Sequence, residues 1–346
     1  MQTNRRYDID WIRVIAIGLL LVYHVAIGFQ PWGMMIAFIT NKESWPSLWI
    51  PMSMLNLWRI PLLFFVSGMG AYFALQNRSW KQLLLERSQR ILVPFVFGTF
   101  CIVPIHWYIM QYHYDMNYRY ISDPGHLWFL GNIFIYILIF TPLFVYLKKN
   151  ELGKAVSHIR QLFSTPLGLL VVVGAFVAEA VLVNPRPFEL YAMTRHGFFL
   201  GMLAFGFGFC FVLMGERFWA MLQKWRWLFL PAAFGLFILR SYENGAPNYL
   251  LSVESCLWVF TVLAFGSRYL NRPSKMLSYL SQAAYPVYVL HMIFLFLSST
   301  LIFPLAISTP LKFILVLLLT LAGSLGCYEI IRRIKYVRGL FGLGWR

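Results

Sequence analysis

A helix that crosses a bilayer needs about 20 consecutive apolar residues to span about 30 Å of hydrocarbon. This 346-residue chain supplies such a run repeatedly. Ten stretches are candidates, at roughly 12–29, 48–75, 91–111, 127–147, 166–183, 196–214, 227–240, 249–266, 284–303 and 311–331, the seventh short and the second long. They are continuously apolar and lack the two-residue alternation of barrel strands. Backbone groups in hydrocarbon must be satisfied within their own segment, which requires helices. The expected fold is all-α: a polytopic transmembrane helical bundle of about ten spans, forming a single domain over residues 1–346. Composition agrees, with 60% hydrophobic and 12% charged residues, against about 45–50% and about 25% in soluble domains. A soluble globular enzyme and a disordered or fibrous chain are both excluded.

The net charge of +16 comes from 29 Lys and Arg against 13 Asp and Glu. Such an excess can mark a nucleic-acid partner, but its distribution points elsewhere. With the N-terminus placed inside, 22 of the 29 basic residues fall in inside segments. Every inside loop is richer in them than its outside neighbours, as the positive-inside rule requires. The expectation is a multi-pass protein of the cell inner or plasma membrane, with both termini cytoplasmic, lipid as its surroundings and no nucleic-acid partner. The basic 148–165 loop reads as a surface helix, and the segment from Arg332 as lying on the inner leaflet. Cys101, Cys210, Cys256 and Cys327 sit in apolar runs without ligand-like spacing, so neither a disulfide framework nor a metal site is expected. Phosphate-binding glycine loops, HExxH and GxSxG are all missing from the sequence.

Ionisable residues within spans are costly to insert and are therefore site candidates. Arg13 and His24 are eleven residues apart on the first span, which returns them to within about 20° on one helix face and separates them by about 16 Å. Asp10 lies one turn before Arg13. Arg59 lies about nine residues into the second span, too deep to snorkel easily. Glu179 and Glu254 sit at comparable depth on the fifth and eighth spans. Two readings are open here: a structural Arg–Glu pair, or a polar pocket that holds substrate. His106, His126 and His196 mark span ends and read as interfacial. On the inner side, Arg87 and Arg90 share a helix face just before Pro94, and planar guanidinium forks suit phosphate. His291 closes the segment Tyr285-Pro-Val-Tyr288-Val-Leu-His291.

In their order along the chain, these residues resemble the acyltransferase-3 family of integral membrane proteins. The matching elements are Asp10, Arg13 and His24; Phe64-Phe65-Val66-Ser67-Gly68; Arg87, Arg90, Ile91 and Pro94; and Tyr285, Tyr288 and His291. Within the family the chain looks most like the glucan biosynthesis protein C group of glucan succinyltransferases, through Arg59 and His126-Leu-Trp128-Phe-Leu130. The resemblance implies an O-acyltransferase. Cytoplasmic acyl-CoA, acetyl or succinyl, would be the donor substrate, with no permanently bound cofactor. The acceptor would be a hydroxyl of an extracytoplasmic or exported glycan. His24 would act as general base, or carry the acyl group transiently, with Arg13 as a further catalytic residue that could, with Arg87 and Arg90, hold the donor phosphates. Arg87, Arg90, Arg59, His291, Tyr288, Glu254 and Trp128 would contact substrate. The alternative is a polytopic transporter or exporter of a glycan or lipid, its polar residues lining a pathway; against it stands the absence of an obvious internal repeat.

Overall fold

The computed structural model describes residues 5–76, 78–243 and 245–345. Among these residues the chain is helical, without a strand. Nine of the described helices are long and apolar enough to cross a membrane: Tyr7–Ile27, Pro46–Gln76, Trp80–His113, Gly125–Lys149, Pro166–Val183, Arg195–Leu213, Asn248–Tyr269, Lys275–Ile302 and Thr309–Ile331. The stretch expected at 227–240 is the helix Arg226–Tyr242, whose 17 residues rise about 26 Å, at the short limit for a span. Helix ends have local causes. Pro occupies the first turn of Pro166–Val183 and Thr309–Ile331, where its missing N–H has no helical partner to lose. The Thr194 hydroxyl caps Arg195–Leu213 by accepting from the Gly197 N–H at 3.0 Å.

Prolines inside spans shape the bundle. A helical Pro withholds its N–H from the carbonyl four residues earlier and presses on it. Pro61 frees the Leu57 carbonyl in this way, and that carbonyl accepts instead from the Tyr191 hydroxyl at 3.0 Å and from Ser255 Oγ at 2.9 Å. Pro104 frees the Phe100 carbonyl, which accepts from the Tyr120 hydroxyl at 2.7 Å. Two π turns, Ser88–Leu92 and Gly98–Ile102, lie just ahead of Pro94 and Pro104. Each re-registers the helix around a displaced carbonyl, and such turns recur at functional sites.

The chain divides into two compact units. The first comprises residues 1–16, 56–85 and 132–277, the second residues 17–55, 86–131 and 278–346. In the first unit, close helix contact explains the Phe-Phe-x-Ser-Gly stretch. A Cβ on Gly68 would stand 1.9 Å from the Phe205 carbonyl oxygen, and one on Gly208 2.0 Å from that of Phe65. Only glycine allows backbones to approach this closely. Ser67 Oγ donates back to the Leu63 carbonyl at 2.7 Å, so this serine serves its own helix. The expected surface helix of the 148–165 loop is Lys154–Phe163, with Val156 and Phe163 buried.

The second unit is built around an apolar cluster of Val25, Phe29, Ile39, Met292, Phe296 and Phe303. The loop after the first span folds back over this core. Asn41 N–H donates to the Gly28 carbonyl at 2.8 Å and Trp45 N–H to that of Phe29 at 2.7 Å. Buried Lys312 anchors the loop by donating to Asn41 Oδ1 at 3.2 Å and to the Phe303 carbonyl at 2.6 Å.

Candidate active site

Four imidazoles from four segments gather in the second unit. His24 stands in the last turn of Tyr7–Ile27, and its Nδ1 lies 2.8 Å from Nε2 of His291. The two rings stack at 5.1 Å between centroids and 10° between planes. His291 Nδ1 lies 2.6 Å from the Tyr288 carbonyl. That contact orders the protons. A carbonyl only accepts, so His291 Nδ1 carries hydrogen. In a neutral His291 ring, Nε2 then holds the lone pair and accepts from His24 Nδ1–H. A neutral His24 is therefore held in the tautomer whose Nε2 carries the lone pair. The chain runs from His24 through His291 into helix backbone, the outer-nitrogen orientation that fixes a histidine for acid–base work.

His126 and His106 extend the group. The His126 ring meets His291 edge to face at 5.0 Å, and His106 meets His126 at 5.9 Å. His126 Nε2–H donates to the Val289 carbonyl at 3.1 Å, one residue from the carbonyl that orders His291. The Tyr288 hydroxyl donates to the His126 carbonyl. Tyr288, expected to contact substrate, thus ties two of the histidine-bearing segments together. Burial is graded: His291 is 0% and His106 5% exposed, while His24 is half-buried. The ring at the end of the chain is thus partly reachable, as is that of His126. Phe38 lies against His24 at 5.8 Å, aimed by the left-handed backbone of Ala37, φ 62°. The sequence reads His106 and His126 as interfacial, and the fold turns both rings towards this group. Their placement at span ends was the one sequence signal, and which helix they meet is set by packing.

Arg87 and Arg90 also belong to the second unit. They flank the start of the Ser88–Leu92 π turn, with Arg90 exposed and Nε 3.3 Å from Glu86. Trp128 opens the helix Trp128–Lys149, its ring edge-on to Phe129 at 6.3 Å.

The remaining sequence candidates lie in the first unit. Arg13 pairs with Asp10 at 2.9 Å, one turn away. Arg59 is 1% exposed, two residues from the twice-bonded Leu57 carbonyl. Glu254 receives Arg240 at 2.9 and 3.2 Å and the Trp258 indole N–H at 3.4 Å. Glu179 meets His196 Nδ1 at 3.0 Å through each of its oxygens. The sequence left open whether these carboxylates pair with Arg59 or line a substrate pocket. The fold gives Glu254 an arginine counted among the outer-loop residues, and Glu179 a histidine counted as interfacial. Among the described residues no three His, Cys, Asp or Glu side chains are arranged to hold a metal ion.

Apolar spans define a multi-pass membrane protein, with a stacked imidazole pair and a basic π turn in its second unit. The acyltransferase domain of the acyltransferase-3 family, Acyl_transf_3, matches residues 6–329. The chain belongs to this family and is a membrane acyltransferase. Comparison with curated proteins and with solved structures gives no match.

Proposed function

We propose that the protein moves an acyl group from acyl-CoA to a hydroxyl of a glycan, with His24 as general base. The observation that carries this reading is the His24–His291–Tyr288 carbonyl chain, which fixes the lone pair of a neutral His24 on Nε2. The acceptor hydroxyl oxygen attacks the thioester carbonyl carbon while its proton passes to His24 Nε2. Collapse of the tetrahedral adduct breaks the carbon–sulfur bond, and the same proton leaves with the thiolate as free thiol. While His24 is charged, its Nδ1–H bond to His291 becomes charge-assisted and roughly twice as strong. His291 therefore stabilises the state in which His24 holds the proton. A proton transfer of this kind contributes about 10²–10⁴ in rate.

Arg87 and Arg90 are the donor-phosphate ligands in this reading. Counting Arg226–Tyr242 as a tenth span keeps both arginines and both termini on the basic, cytoplasmic side of an inner or plasma membrane. Acetyl and succinyl are the acyl groups considered. A glucan acceptor is supported by the likeness to glucan succinyltransferases through Arg59 and the His126–Leu130 stretch.

The test incubates purified protein with a panel of acyl-CoAs and glycan acceptor, scoring free thiol and acylated product. Wild type is expected to release thiol with one acyl group preferred, and His24→Ala to release none above background while remaining helical and monodisperse. Equal transfer by His24→Ala would overturn the assignment.

A further inference from the structure

The segment around Val337–Leu340 is not used by the chemistry above, yet it is docked onto the π turn that carries Arg90. Gly342, at φ +74°, is the contact: a Cβ there would lie 2.6 Å from the Tyr285 ring and 2.9 Å from the Arg90 carbonyl oxygen. That carbonyl is the one displaced by Pro94, four residues on. Phe341 is 4% exposed and meets Phe97 edge to face at 5.5 Å. The segment is folded on itself as well, with Phe341 N–H and Leu343 N–H both donating to the Arg338 carbonyl, at 3.2 and 3.1 Å. Through these bonds the Arg338 backbone lies within roughly 10 Å of the Arg90 carbonyl, a few bond lengths and contacts away.

Two polar groups at this place are buried and without a hydrogen-bond partner among the described residues: Arg338 Nε and the Tyr285 hydroxyl. A guanidinium is donor-only, and the Nε–H of half-buried Arg338 is a buried donor without an acceptor, which is costly. Both groups are suited to an anionic oxygen arriving from outside the chain.

The geometry points to Arg338 and Tyr285 as further ligands of the donor, completing with Arg87 and Arg90 a pocket for the phosphates of coenzyme A, with Gly342 as the hinge that seats the segment. This rests on the acyl-CoA reading above. Two nearby arginines can hold one or two phosphates, whereas the nucleotide end of coenzyme A carries three. The 337–345 segment brings a third guanidinium. An anionic lipid headgroup offers the same phosphate chemistry, so the experiment separates the two sources.

Binding of coenzyme A and of pantetheine, which lacks the nucleotide, is measured on full-length protein in nanodiscs of neutral lipid and again with anionic lipid. Arg338→Ala is expected to weaken coenzyme A about tenfold in both lipids and to leave pantetheine unchanged. Arg338→Lys, a point charge without the fork, recovers part of the loss, and Gly342→Val weakens coenzyme A by forcing the segment off Arg90. Unchanged coenzyme A binding by Arg338→Ala overturns the inference, as does equal loss for pantetheine or a loss seen only with anionic lipid. The two readings fail separately. Arg338-dependent binding without acyl transfer removes the transferase reading and leaves the pocket, while transfer with Arg338-independent binding removes the pocket alone.

Discussion

In the first unit, buried carboxylates are closed off by fixed partners: Glu254 by Arg240 and Trp258, Glu179 by His196. In the second, buried imidazoles are linked to each other and to backbone carbonyls, and the linkage ends at a half-buried ring. Both arrangements place ionisable groups among apolar helices, where a polar group without a partner is costly. They differ in what a proton can do. An Arg–Glu pair has no proton to give near neutral pH, since arginine stays charged, so it staples helices. Stacked imidazoles exchange donor and acceptor roles with each proton gained or lost. The Arg240–Glu254 pair has polar groups fixed in their roles, and the His24–His291 pair has groups whose donor and acceptor roles can exchange.

The sharpest way to break this contrast is at the ring where the imidazole chain ends. His24→Ala is expected to lower the transfer rate by about 10²–10⁴, with helicity and thermal midpoint near wild type. A variant that loses stability and retains rate would reverse the roles of the two units. His291 tests the link. His291→Leu removes the acceptor for His24 Nδ1–H and is expected to cost about 10² in kcat, within the general acid–base range. His291→Gln keeps an acceptor oxygen and should recover part of that loss, where a merely space-filling role predicts no difference between the two variants.

The pH profile sharpens the same point. A base acts only when unprotonated, so transfer should fall about tenfold per unit as pH drops below the pKa of the His24–His291 pair. His24→Ala should erase that limb from any residual rate.

The first unit should respond in stability. Arg240→Leu removes the charged donor that meets both Glu254 oxygens, at an expected cost of up to about 3–5 kcal/mol, read as a lowered thermal midpoint with kcat kept in the folded fraction. The double variant Arg240→Leu/Glu254→Leu should recover most of that stability, since an apolar pair of similar volume is often neutral or better. A double variant that is stable but inactive would show the pair to be functional. The smallest effect is expected at Tyr191→Phe, about 1 kcal/mol, because the Leu57 carbonyl still accepts from Ser255.

Much of this was readable along the chain because it depends on near neighbours. The Asp10–Arg13 pair is one turn apart, and Arg87 and Arg90 are three residues apart ahead of a proline. The Phe64–Gly68 stretch was visible as a motif, but that its glycine admits a carbonyl of another helix was not. The contact of Glu254 with Arg240 was not readable for the same reason: arginines at several depths were available, and packing brought this one in.

The sequence by itself determined that the chain is a membrane-spanning helical bundle with a strong inside–outside charge bias, because hydrocarbon thickness and backbone hydrogen bonding leave no other solution for runs of this length and composition. It also determined that His24 stands out on the first span. Only the tertiary structure decided which nitrogen of His24 holds the lone pair. His291 is 267 residues away, and its orientation depends on the Tyr288 carbonyl in its own helix. Donor and acceptor roles are set by contacts in space, and no local pattern encodes them.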